Sequence, residues 1–309
     1  LPQYNYLKEA DYVSGASILL RRELFDRLGG FDEHYAPAYY EDTDLAFRIR
    51  EAGLRVYLHP ESVVVHHEGV SSGTDTGSGV KAFQVVNAAK FLERWRPVLE
   101  REHFPNAVNV FQARDRSAGR RTVLVVDHYV PEPDRDAGSK AMFQVLQVLV
   151  ALGWHVKFWP ENLHRHPGYT PVLQRMGIEV LYGNTWVGRF GEWMAEHGDR
   201  LDAVVLSRPH VAVQFVDAVR AHAPRARLVY YGHDVHHLRM LEHARVDPTG
   251  VCREELERVR GMEHRMWEQA DVVVYPSVDE TRHVAAWLAD RGARGRAVIE
   301  VSQAVADDD

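Results

Sequence analysis

From Thr122 onward the chain repeats one pattern: a short, apolar run followed by a longer segment with apolar residues at helical spacing. Thr122–Val126 (TVLVV) lacks the alternation of a strand with one wet face, so it reads as a strand covered on both sides. Lys140–Leu152 has helical spacing and runs into Gly153, a natural helix stop. His155–Trp159 reads as the next strand, Pro171–Met176 before Gly177 as a helix, and Ile178–Tyr182 as a strand. Leu201–Leu206, Leu228–Tyr231 and Asp271–Tyr275 continue the strands, with Val211–Ala221 and Arg253–Gln269 as helices. Alternating strands and helices pack as a parallel sheet with helices on both faces. The expected fold class is therefore α/β, with a Rossmann-like parallel sheet over residues 121–309.

The first hundred residues have a different texture. Ser17–Leu20 reads as a short strand leading into an amphipathic helix, Arg22–Leu28, which Gly29 and Gly30 stop. Tyr39-Tyr40-Glu41-Asp42-Thr43-Asp44-Leu45 opens a second helix through Ala52, and Arg55–Leu58 and Val63–His66 read as strands. Residues 101–120 have weak periodicity and many polar and breaker residues, so they read as a linker. A length of 309 residues, 45% of them apolar, suits two cores, and the chain divides into 1–100, the linker 101–120 and 121–309.

A net charge of −7 gives no support to a nucleic-acid partner. No apolar run approaches the ~20 residues of a membrane span, and no charged-then-apolar leader opens the chain. Cys252 is the single cysteine, so no internal disulfide forms; a reducing, cytoplasmic setting is expected and the thiol itself reads as inert. The chain starts at Leu1 and stops at Asp309, and both ends read as cut.

Glu41, Asp42 and Asp44 gather where a helix begins. Carboxylates there satisfy free N–H groups and complement the helix dipole, which is one sufficient reason for them. The other reason is chemical. A carboxylate fixed at the mouth of a cleft takes a proton from a hydroxyl nucleophile, and a helix start on a rigid scaffold holds it in place.

The stretch SGASILLRRELFDRLGGFDE…YYEDTDLAFRIREAGLRVYLHPESVVVHHEGVS, over roughly residues 10–72, resembles the second half of family 2 glycosyltransferases, the inverting GT-A type. The SGA turn, the GGFDE segment, the ED pair, the end of the following helix and the HHEG turn occur in order. The resemblance implies that Asp42 is the general base, that Glu41 contacts the acceptor, and that Gly15 and Ala16 line a sugar pocket. It also implies that His66 contacts a divalent metal (Mn or Mg) or the diphosphate, with the paired His66 and His67 otherwise explicable as strand-end residues. Asp42-Thr43-Asp44 matches the nucleotide-binding Asp-x-Asp motif by letters only, because it opens a helix. The nucleotide-holding first half expected of that family is not in this sequence.

Residues 121–300 resemble the N-terminal Rossmann domain of a GT-B glycosyltransferase of the retaining, family 4-like type. Val123–Asp127 with His128-Tyr129-Val130-Pro131, Pro133–Ser139, Tyr230–Arg239 and Ala270–Ser277 carry this likeness. The resemblance implies no cofactor for this part and a donor site mainly in a further domain. Gly138 allows close backbone approach where a helix begins, and that helix start offers N–H groups to an anion; an ordinary helix start capped by Ser139 is the plainer explanation. His210 is a candidate sugar contact, and His233 and Asp234 follow a strand at the sheet edge where open α/β folds bind ligands. Neither a phosphate-binding GxxxxGK[ST] loop nor a full GxGxxG fingerprint is present, which sets nicotinamide chemistry aside.

The reading is part of a bifunctional glycosyltransferase acting on nucleotide-sugars and a glycan acceptor of a bacterial surface polysaccharide. The alternative is a carbohydrate-binding or scaffold module without catalysis. The resemblance leaves room for peripheral association with a membrane.

Overall fold

The computed structural model describes residues 1–65, 79–247, 250–292 and 297–300. The chain divides into two compact units, Tyr4–Gly119 and Arg120–Asp309 together with Leu1–Gln3.

The first unit is mainly helical. Strand β1 (Lys8–Glu9) pairs antiparallel with β2 (Tyr57–Leu58). Between them lie helix α1 (Arg22–Arg27) and helix α2 (Glu41–Glu51); α3 (Ala82–Glu102) and the short α4 (Val110–Ala113) follow. Asn87, Phe91 and Trp95 recur at i, i+4 and i+8 and are the buried side chains of α3. Their stripe meets Tyr35 and Phe47 in an aromatic core, with Phe47 edge-on to Phe91 at 4.9 Å between ring centroids.

Two expectations change here. Ser17–Leu20 forms a 3-10 turn, Gly15–Ser17, followed by chain in no sheet, and Val63–Val65 is likewise in no strand. Both runs have strand-like composition, but a strand exists only where a neighbour completes its ladder, and none does among the described residues. Residues 101–120, expected as a linker, belong largely to the first unit. Arg116 bonds to Asp11 at 2.5 Å and the hydroxyl of Tyr6 donates to Asp115 at 2.8 Å. Long-range ion pairs of this kind leave no signal in local periodicity.

The second unit is a seven-stranded, wholly parallel sheet. Its strands are β3 (Thr122–Asp127), β4 (His155–Pro160), β5 (Glu179–Val180), β6 (Ala203–Ser207), β7 (Arg227–Tyr231), β8 (Val272–Tyr275) and β9 (Ala297–Glu300). Helices α5 (Ala137–Ala151), α6 (Tyr169–Arg175), α7 (Phe190–His197), α8 (Pro209–His222), α9 (His236–Val246), α10 (Arg253–Gln269) and α11 (Val278–Asp290) connect them. Every residue of β3 is buried, as its unbroken apolar run requires. The order is β5-β4-β3-β6-β7-β8-β9. The chain winds outward from β3 in one direction, then returns to lay β6 on its other side. The sheet therefore has the doubly wound order, with a crevice where β3 and β6 part at their C-terminal ends.

Candidate functional sites

In the first unit, Asp42 sits in the opening turn of α2. Its Oδ2 accepts the amide of Gly15 at 2.7 Å, and its Oδ1 accepts the amide and hydroxyl of Thr43 at 2.7 and 3.2 Å. The carboxylate is thus fixed in orientation, and Oδ2, with one donor, keeps a lone pair free for an incoming hydroxyl. Gly15 approaches closely: a Cβ there would lie 3.3 Å from Oδ2. Asp42 borders a groove of about 1000 Å³ that Ser14, Ala16, Ile18, Ile49 and Leu58 also line. Gly15 therefore meets Asp42, and Ala16 lines the same groove as that carboxylate. Glu41 turns Oε2 inward, where no donor meets it among the described residues. His66 lies outside the described residues.

Asp44, two residues on, is fully buried. It accepts the indole N–H of Trp95 at 2.8 Å, Arg48 Nε at 2.6 Å and the hydroxyl of Tyr35 at 3.3 Å. Arg48 then donates to the carbonyls of Leu28 and Gly30, tying α2 to the end of α1. Asp44 is therefore spent on the scaffold, which agrees with rejecting Asp42-Thr43-Asp44 as a nucleotide motif. Among the described residues no three His, Cys, Asp or Glu side chains converge to hold a metal ion. His66, the expected metal contact, is not among those residues.

In the second unit, the crevice between β3 and β6 gathers several polar groups. Asp127, at the end of β3, is 2% exposed and accepts Arg208 Nε at 2.9 Å. Arg208 follows β6 with φ of 62°, a left-handed conformation that an L-residue adopts only under constraint. Asp136 caps α5: its Oδ1 accepts the amide of Ser139, and its Oδ2 accepts the hydroxyls of Ser139 and Tyr129 at 2.7 and 2.8 Å. The cap is thus Asp136, and Ser139 is 1% exposed with its amide and hydroxyl already engaged. Gly138 packs beneath Arg208, since a Cβ there would meet Nη2 at 2.8 Å and His233 Nδ1 at 3.4 Å. His233 holds Ser207 Oγ through Nε2 at 2.9 Å, while its buried Nδ1 meets no partner among the described residues. Burial pushes this imidazole down to about 4, with Asp127 opposing. It is therefore neutral at pH 7.

Gly138 and His233 thus come together beside Arg208. Asp234 does not join them: it is paired with His236 Nδ1 at 2.7 Å and Arg239 Nε at 2.6 Å. His210 stands on the first turn of α8 with its ring 5.4 Å from that of His128, and it borders a pocket of about 380 Å³ with His236 and Arg258. Sequence reading missed Arg208 and Asp127. The signal available was positional: both end strands that flank the switch point, where ligands of open α/β sheets bind.

No protein-family model matches the chain. An N-acetylglucosaminyl-diphospho-decaprenol L-rhamnosyltransferase of Mycobacterium tuberculosis is 44% identical over 72 residues, 23% of this chain and 23% of that protein. The O-antigen biosynthesis protein RfbC of Myxococcus xanthus is 40% identical over 63 residues, 20% of this chain and 5% of that protein. The chain thus spans about a quarter or less of the length of these relatives. A sucrose-phosphate synthase from Thermosynechococcus elongatus superposes on 60% of this chain and 91% of its own with a TM-score of 0.34 and 11% identity, too slight a likeness to carry an argument.

Proposed function

We propose that the chain is part of a glycosyltransferase that builds a cell-surface polysaccharide, with Asp42 as the base of an inverting transfer. The observation carrying this reading is the Asp42 carboxylate, oriented by Gly15 and Thr43 at the edge of an open groove. The relatives' names support transfer of a sugar to an acceptor in cell-surface polysaccharide synthesis; a nucleotide-sugar donor and an acceptor hydroxyl belong to the reading proposed for this chain. In the transfer, Oδ2 takes the acceptor's hydroxyl proton while that oxygen bonds to the anomeric carbon. The bond from that carbon to the donor diphosphate breaks, and the diphosphate leaves with the electron pair. The base ends protonated, and the configuration at the carbon inverts.

The second unit fits a retaining GT-B partner domain, which would make the parent enzyme bifunctional. The corner of Gly138, Arg208 and neutral His233 would face the donor diphosphate or the acceptor. A divalent metal bound through His66 belongs to this reading of the first unit, as does action on the cytoplasmic side of a membrane.

A second reading, a carbohydrate-binding scaffold, is favoured by the apolar surface the groove leaves open: Leu19 and Val64, which line it, are 100% and 53% exposed. One experiment separates the two. The chain is incubated with UDP-, GDP- and dTDP-sugars, manganese and an N-acetylglucosaminyl-diphospho-lipid, and the product is read by mass spectrometry. Product formed by the wild type and lost in Asp42→Asn supports the enzyme. Acceptor binding without product, unchanged in Asp42→Asn, supports the scaffold.

A further inference from the structure

The residues just before Asp42 are held in an unfavourable shape. Tyr39 and Tyr40 both have φ of 73°, consecutive left-handed positions in side chains that gain nothing from that region. Both positions are strained, and such a pair persists only where its surroundings over-determine it. The surroundings here are one face of α3. Asn87, fully buried, donates through Nδ2 to the carbonyls of Tyr35 at 2.7 Å, Ala38 at 2.9 Å and Tyr39 at 3.2 Å. One turn further, Phe91 packs on the ring of Tyr40 at 5.4 Å between centroids. Tyr40 is the N-cap residue of α2, and its carbonyl accepts the amide of Asp44 at 2.8 Å. The direction in which α2 starts, and with it the place of Asp42, depends on this loop.

We infer that Asn87 is a positioning residue: it locks the left-handed Tyr39-Tyr40 pair and thereby aims the Asp42 carboxylate at Gly15 and the groove. Two N–H groups divide among three carbonyls, and an aliphatic side chain of similar size supplies none. The inference rests on the reading of Asp42 as the base, but its structural part is testable alone.

The experiment is residue-resolved amide hydrogen exchange on the whole chain, comparing wild type with Asn87→Ser and Asn87→Asp. Asn87→Ser keeps one donor and serves if the aspartate prevents folding. The amides of Gly15 and Thr43 both donate to Asp42 and should exchange about tenfold faster in the variant, while the indole N–H of Trp95, bonded to Asp44, keeps its protection. Unchanged exchange at Gly15 and Thr43 overturns the inference. Equal loss at all three overturns it too, because that is a general loosening. The transfer assay on Asp42→Asn decides the base reading separately: full turnover there sinks the base while leaving the exchange result standing.

Discussion

Arg208 Nε reaches Asp127 Oδ1 at 2.9 Å, joining the C-terminal ends of β3 and β6 across the point where the sheet reverses its winding. The guanidinium is 18% exposed and the carboxylate 3%. Most of the pair is therefore out of water, and removing one partner leaves the other uncompensated. Arg208→Ala should cost roughly 3 kcal/mol of stability. Denaturant unfolding of the chain checks this, and Arg208→Lys should recover only part, because one ammonium cannot reproduce the fork of the guanidinium.

Asp42 and Asp44 are two residues apart and should answer the same substitution in opposite ways. Asp42→Asn keeps the fold and should lower sugar transfer by about 10²–10⁴-fold, the usual worth of a positioned base. Asp44→Asn should leave Arg48 and Arg94 facing a neutral partner and lower stability by about 3 kcal/mol. Paired thermal melts and product assays on the two variants read the contrast.

The histidines around α9 predict a stability profile with pH. His233 is held at about 4 by burial, below its ordinary 6.5. A group depressed in this sense favours the folded state fully above 6.5, and that contribution is lost as pH falls from there toward 4. For His236, burial opposes the charge, but Asp234 and Glu263 outweigh it and push the imidazole up to about 9. Its contribution is complete below 6.5 and is lost as pH rises toward 9. His233→Asn should flatten the acid limb and His236→Asn the alkaline limb of Tm against pH.

Gly232 follows β7 with no room for a side chain, since a Cβ would stand 2.2 Å from the ring of Tyr275. That ring is pinned by Trp267, whose indole donates to its hydroxyl at 2.9 Å. Gly232→Ala should therefore destabilise by about 1–3 kcal/mol, with Tyr275→Leu in the same chain relieving part of the loss. Urea midpoints of the single and double variants provide the test.

The sheet of the second unit was legible because burial on both faces writes itself into composition. Thr122–Val126 and Asp271–Tyr275 fall within a residue of β3 and β8, and Arg253–Gln269 is α10 as read. The first unit was less legible for a physical reason. Its organising residues are polar and long-range: Arg48 on the carbonyls of Leu28 and Gly30, Asn87 on those of Tyr35 to Tyr39, Arg116 on Asp11. Local periodicity carries no trace of such pairs. Helix α3 itself went unread, although its apolar spacing is present, because Pro97 and the charges around it interrupt the pattern. At the candidate sites, Asp42 and Gly138 stood in recognisable motifs, whereas Arg208 matters through a backbone angle and a neighbour 81 residues away.

The clamp that Asn87 places on the Tyr39 loop joins residues 48 to 52 apart in the chain. Closing so long a loop costs entropy that only the packed α3 repays. The shape around Asp42 is therefore a product of tertiary assembly and not of local preference. A nascent chain holding residues 1–65 alone would carry every letter of the acidic motif and still lack its geometry. Any loosening of α3 from that loop would therefore disarm the carboxylate without a change in the acidic motif itself.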